Sequence, residues 1–146
     1  RSMSRWVSTK KSFDLIPASK VNEYDFIISS RLDLEFFNEF VFPENLSNSQ
    51  LLLAHWNRAP IKGVRDFADY HNFTLNQNGF SDLWFAGKPE VMRNFTSLFD
   101  RFESYSYNPH LSSQEHANYL GLSTVFKYFR YFDFELVRRY RYKSEK

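Results

Sequence analysis

A short apolar run that stops abruptly on charge constrains this chain more than any other stretch. Tyr24-Asp25-Phe26-Ile27-Ile28-Ser29 is followed at once by Ser30-Arg31-Leu32-Asp33. The run is short and β-branched, and it suits a buried strand. Two more runs of this kind follow, Leu51-Leu52-Leu53-Ala54 and Leu83-Trp84-Phe85-Ala86. Helical patterns lie around them. Met3, Trp6, Val7, Phe13 and Ile16 share roughly one helical face, which Pro17 closes. Pro89 sits at a first helical position, and Val91, Met92, Phe95, Leu98, Phe99 and Phe102 recur behind it at helical spacing. Ser112 or Ser113 is expected to cap a further helix, with Glu115 in its first turn and Gly121 at its end. The alternation of strands and helices predicts an α/β domain, with residues 24–29 as a central buried strand.

Weaker signals fill the rest. Pro60 and Gly63 mark a loop over residues 58–64, a short helix is expected over 64–70, and Asn76-Gln77-Asn78-Gly79 reads as a turn. Phe132-Asp133-Phe134-Glu135-Leu136 and Arg139-Tyr140-Arg141-Tyr142 alternate with period two, as half-exposed strands do. With 146 residues and no repeat or linker, the chain reads as one domain, 1–146, long enough to bury a core. Its opening in helix-like sequence at Arg1 suggests a fragment of a longer protein. The absence of cysteine excludes disulfides and thiolate metal sites and suits a cytoplasmic or viral protein. No apolar run approaches the roughly 20 residues of a membrane-spanning helix. Without a secretory signal, the sequons at Asn45, Asn72 and Asn94 read as accidental. A net charge of +2 is too even to argue for nucleic acid as a partner. Aromatics reach 20% of residues, enough both to fill a core and to line a groove for bases or sugars.

Four constellations could carry chemistry. The first is Ser30-Arg31-Leu32-Asp33-Leu34-Glu35, because open α/β sheets bind ligands beyond the carboxyl ends of their strands. A carboxylate there can hold Mg²⁺ or Mn²⁺ against two phosphates, and Arg31 can neutralise a diphosphate directly. The plainer reading is an ion pair of Arg31 with Asp33 or Glu35. The second is Glu115-His116, where either side chain suits a general base for a hydroxyl. Alternatively, Glu115 only complements a helix dipole. The third is Asp82, which either orients a hydroxyl or serves the turn after Gly79. The fourth is the tail with Lys127, Arg130, Arg138, Arg139, Arg141 and Lys143 set between rings. Such a pattern suits single-stranded nucleic acid or an anionic membrane, or protects an edge strand. Asp133, Glu135 and Glu145 dilute its charge. With 4 glycines there is no Gly-rich phosphate loop, and His55, His71, His110 and His116 lack zincin spacing.

Trp6-Val7-Ser8-Thr9-Lys10-Lys11, a spacer, and the strand from Tyr24 to Leu34 with its Arg31-Leu32-Asp33 ending carry a resemblance. Together they resemble uncharacterised glycosyltransferase-like proteins of bacteria and large viruses, of the GT-A type. Ser81-Asp82-Leu83-Trp84-Phe85-Ala86-Gly87 and Ser112-Ser113-Gln114-Glu115-His116 resemble that group's next two landmarks, and the likeness spans Trp6 to Arg139. It implies a GT-A-like, Rossmann-like mixed sheet flanked by helices, without the N-terminal nucleotide-binding strand. It implies transfer of a sugar from a nucleotide-sugar donor to a glycan or other acceptor. Ser8, Lys11, Arg31 and Asp33 would then bind the donor. Asp33 and Glu35 would hold Mn²⁺ or Mg²⁺, and Asp82 and Glu115 would be catalytic on the acceptor side. Arg31 stands where GT-A enzymes carry the first Asp of Asp-x-Asp. The implied location is the cytoplasm of a bacterium or a virus-infected cell, free or peripheral to a membrane. Two other readings stay open: a non-catalytic binding or structural module on the same fold, and a nucleic-acid-binding domain that uses the basic tail.

Overall fold

A computed structural model describes residues 2–54, 79–128 and 133–137. The expected features at 55–78, 129–132 and 138–146 lie outside the described residues. These include the loop at 58–64, the helix at 64–70, most of the Asn76–Gly79 turn, the alternation at 139–142 and most of the basic tail.

The described chain is a mixed α/β structure. Helix α1 covers Ser2–Asp14. Strands β1 (Ile27–Ser30), β2 (Leu34–Phe36), β3 (Gln50–Leu53) and β4 (Trp84–Gly87) follow. Helix α2 (Pro89–Thr96) runs on into a 3₁₀ helix, Ser97–Ser104. Helix α3 (Pro109–Tyr119), strand β5 (Ser123–Phe126) and strand β6 (Phe134–Leu136) complete the order. Four strands form one sheet in the order β1-β4-β3-β5, and β2 pairs with β6 in a separate ribbon. Strand β4 runs antiparallel to both β1 and β3, whereas β3 and β5 are parallel.

Both faces of the sheet centre are covered, and the alternation of side chains along each strand sorts the core into two halves. Leu51, Leu53 and Phe85 join Trp6, Val91, Met92 and Phe95 on the helical side. Leu52, Ala54, Trp84 and Ala86 meet Leu46 and Phe134 on the ribbon side. Rings dominate this second half: Phe40 packs edge-on against Trp84 at 5.1 Å, and Phe36 lies 5.7 Å from Phe134.

Three sequence expectations change. Of the run at 24–29, Ile27, Ile28 and Ser29 enter β1 while residues 24–26 lie before it, and β1 is at the edge of the described sheet, beside β4. Along β1 partly buried and exposed residues alternate, so the strand is covered on one face only. Helix α3 begins earlier than Ser112. Asn108 caps it, its Oδ1 accepting from the His110 N–H at 2.9 Å, and Pro109 takes the first position, where a missing N–H costs nothing. Ser112 and Ser113 are buried inside the helix, donating back to the Pro109 and His110 carbonyls. Glu115 therefore sits mid-helix rather than in the first turn. The helix from Pro89 also tightens after Thr96. The Thr96 and Ser97 hydroxyls donate to the Arg93 and Asn94 carbonyls at 3.1 and 2.7 Å, occupying acceptors that a continuing helix would use.

Gly79 has φ +87°, and a Cβ there would run into the His110 backbone, so this position takes glycine alone. The close approach brings Phe80 onto α3: its N–H donates to the His110 carbonyl at 2.8 Å.

Candidate functional site

A cavity of about 620 Å³ opens between α1 and the end of β1. Arg5, Ser8, Thr9 and Ser12 of α1 line one wall. Their spacing of three, four and seven residues places them on one helical face. Arg31 and Asp33 line the opposite side, just beyond the last residue of β1. Phe13, Ile27 and Met92 give the cleft an apolar floor. The chain is led there by the sheet itself: the Arg31 N–H donates to the Leu83 carbonyl at 3.3 Å, and the Val137 N–H to the Asp33 carbonyl at 2.8 Å. Arg31-Leu32-Asp33 is thus pinned where it passes from the sheet to the β2–β6 ribbon.

Two guanidiniums face this cleft. Arg31 donates through Nε and Nη2 to both oxygens of Asp33, at 2.8 and 2.7 Å. These hydrogen bonds raise the Arg31 pKa above its ordinary value. Arg5 reaches Asp82 with Nη1 at 3.2 Å, both side chains being 18% exposed. Burial lowers the Arg5 pKa; the Asp82 charge opposes this and the positive charge of Arg31 adds to it. The Arg5 Nε is buried and has no hydrogen-bond partner among the described residues. Asp82 is further approached by His110 Nδ1 at 3.9 Å, while that nitrogen donates to the Phe80 carbonyl at 2.8 Å.

The site residues named from the sequence separate into two groups. Ser8, Arg31 and Asp33 meet at the cleft, and Asp82 joins them through Arg5. Lys11 is exposed on α1 and does not line the cavity. Glu35 is exposed on β2, opposite Glu135 of β6. Glu115 accepts from the Ser106 N–H at 2.7 Å and so ties the segment before α3 to the helix. His116, named beside it as a base, is fully buried and spent on structure. Its Nε2 donates to the Asn94 carbonyl at 3.1 Å, so Nδ1 accepts from the Tyr105 hydroxyl at 3.0 Å. Burial lowers its pKa, while the hydrogen bond to the Asn94 carbonyl opposes that shift.

Arg5 was not singled out in the sequence. It falls in step with Ser8, Thr9 and Ser12, beside the stripe that carries Trp6 and Phe13, and this spacing alone does not mark it as a site residue.

The arrangement does not fit a divalent cation well. Both Asp33 oxygens are engaged by a guanidinium, and Glu35 lies outside the cavity lining. Among the described residues, no three or more His, Asp or Glu side chains gather as a ligand set. No helix of the described residues is long and apolar enough to cross a membrane. Of the basic tail, Lys127 is described: its Nζ donates to the Val41 carbonyl at 2.7 Å. No protein-family model matches the chain, and no curated protein matches it significantly.

Proposed function

We propose that this chain is a GT-A-like glycosyltransferase domain that takes the diphosphate of a nucleotide-sugar donor into the cleft between α1 and β1. One observation carries the reading. Ser8, Arg31 and Asp33, three of the donor-side residues that the resemblance implies, come from two separate segments and line a single cavity. The volume suits a small ligand, since such sites run from about 300 to 1,000 Å³. Arg31 supplies a permanent, planar cation for a phosphate, and Ser8 a hydroxyl. Asp82 is the acceptor-side carboxylate, held beside the cleft by Arg5. In this reading Glu115 acts as a tether for the segment around Ser106. Catalysis would come from positioning the donor and offsetting charge on the departing diphosphate.

Calorimetric titration with UDP, GDP and their sugar conjugates, beside an assay for sugar released from each conjugate, tests the proposal. Binding of at least one nucleotide diphosphate with release or transfer of its sugar is expected. Failure of every nucleotide to bind would remove the reading.

A second reading has its own support. Asp33 is occupied by Arg31 and Glu115 by Ser106, so two carboxylates of the implied machinery are held in structural bonds. A binding module that keeps the cleft and lacks transfer would bind nucleotide without releasing sugar.

A further inference from the structure

We infer that the α1 wall of this cleft is a saccharide subsite for an uncharged hexopyranose ring. The inference rests on the donor-site reading above and names the class of sugar that the site accepts.

The charges of the cleft decide what it refuses. Among the described residues, the charged side chains that line it are Arg5, Arg31 and Asp33. Each is already matched. Arg31 holds both oxygens of Asp33 at 2.8 and 2.7 Å, and Arg5 meets Asp82 at 3.2 Å. Two positive and two negative charges leave the group neutral. A charge taken out of water is costly unless a counter-charge meets it. Asp33 engages two of the five N–H donors of Arg31, so one phosphate can share that guanidinium. A carboxylate on the sugar finds no further unmatched cation among these residues. A sugar ammonium finds carboxylates that guanidiniums already hold. An uncharged ring disturbs neither pair.

The rest of the lining decides what the cleft accepts. Thr9 and Ser12 of α1 and Ser29 of β1 bring hydroxyls to it, and these have no hydrogen-bond partner among the described residues. The Ser8 hydroxyl donates to the Ser4 carbonyl at 2.9 Å and keeps its lone pairs for a donor. Hydroxyls alone would mark only a solvated helix face. Here they share a cavity with Phe13, Ile16, Ile27 and Met92, which offer apolar surface for the C–H faces of a ring. Polar edges, apolar faces and no charge are the chemistry of a neutral sugar. Position agrees with this. A phosphate held by Arg31 on one side of the cleft leaves the sugar bonded to it facing α1 on the other.

The test is calorimetric titration of the wild type, Thr9→Val and Ser12→Ala. The ligands are UDP and GDP and their conjugates with glucose, galactose, N-acetylglucosamine, mannose and fucose. UDP-glucuronic acid, UDP-glucosamine and the methyl glycosides of the same neutral sugars complete the set. Each substitution removes one hydroxyl, and thermal unfolding shows that each variant is folded before titration. At least one neutral conjugate should bind about fivefold or more tightly than its bare nucleotide, and the charged conjugates no more tightly than UDP. Each variant should lose about fivefold for that neutral conjugate and nothing for the bare nucleotide. Three results overturn the inference while the donor site stands: nucleotides that bind as tightly as every conjugate, a charged conjugate that matches the best neutral one, or folded variants that both keep the full gain. Binding of a methyl glycoside that the variants weaken, with no binding of any nucleotide, supports the saccharide subsite and removes the donor reading. No binding of nucleotide, conjugate or glycoside overturns both.

Discussion

Asp33→Asn separates two roles for the motif carboxylate by the sign of one change. In the structure Asp33 accepts two charge-assisted hydrogen bonds from Arg31, at 2.8 and 2.7 Å. The two side chains are 32% and 35% exposed, so solvent screens the pair. A pair of this exposure contributes about 0.2–1 kcal/mol. The substitution should therefore cost less than about 1 kcal/mol in a urea unfolding series. Asparagine keeps one oxygen acceptor and removes the charge that competes with a phosphate for Arg31. Diphosphate affinity in EDTA should rise, by at most about fivefold, the equivalent of about 1 kcal/mol. Calorimetry with pyrophosphate, in EDTA and then in Mn²⁺, reads the change directly. A fall in affinity confined to Mn²⁺ would identify Asp33 as a metal ligand and refute the competition argument. A fall in both conditions would mean that Asp33 orders Arg31 for the ligand rather than competing with it.

Three further outcomes follow from the geometry. Burial lowers the His116 pKa, so as pH falls through its unfolded value of about 6.5 the unfolded chain takes up a proton more readily than the native state. Stability is fully present above that pH and falls as acid is added, with a slope of at most about 1.4 kcal/mol per pH unit; urea midpoints for the wild type and His116→Gln should diverge there, and parallel curves would exclude the effect. Gly79→Ala forces a Cβ into the His110 backbone at φ +87°, and should lower stability by about 1–3 kcal/mol or more in thermal unfolding; an unchanged melting temperature would contradict the close approach. Glu115→Gln keeps an acceptor for the Ser106 N–H and removes the charge. It should leave kcat of any transfer reaction unchanged, whereas a general base would lose about 100-fold or more.

The sheet centre was legible because it obeys local rules. Leu51–Leu53 and Trp84–Gly87 are covered on both faces, so they appear as unbroken apolar runs. Strand order was not legible. Tyr24-Asp25-Phe26-Ile27-Ile28-Ser29 looked central because its composition matches a buried strand, but its place at an edge depends on pairing with Trp84–Gly87, far along the chain. The start of α3 was misplaced at Ser112-Ser113, because the earlier Asn108-Pro109 opening was not singled out in the sequence. Asn108-Pro109 and Ser112-Ser113 both resemble helix openings, and serines that bond back to their own helix carry no mark in sequence. The cleft was half legible. Arg31 and Asp33 stand out because charge follows an apolar run, whereas Arg5 lies in a helix where exposed arginines are common, and only its tertiary setting sets it apart.

The strand pairings also shape how this chain reaches its native state. No pair in the described sheet is a hairpin: Leu53 meets Phe85, Ser30 meets Trp84, and Leu52 meets Val125. The ribbon is more distant still, joining Leu34 to Leu136. Each ladder must close a long loop before it gains its first hydrogen bond, and folding slows as such contacts come to dominate. Strand β4 is the partner of both β1 and β3, so neither can be secured until Trp84–Gly87 has emerged from the ribosome and docked. Until then Leu51, Leu52 and Leu53 stay unpaired as a bare apolar segment, the kind of surface through which slow-folding chains aggregate. Refolding yield should therefore fall with rising protein concentration, and a polar substitution on this segment would trade native stability for escape from that fate.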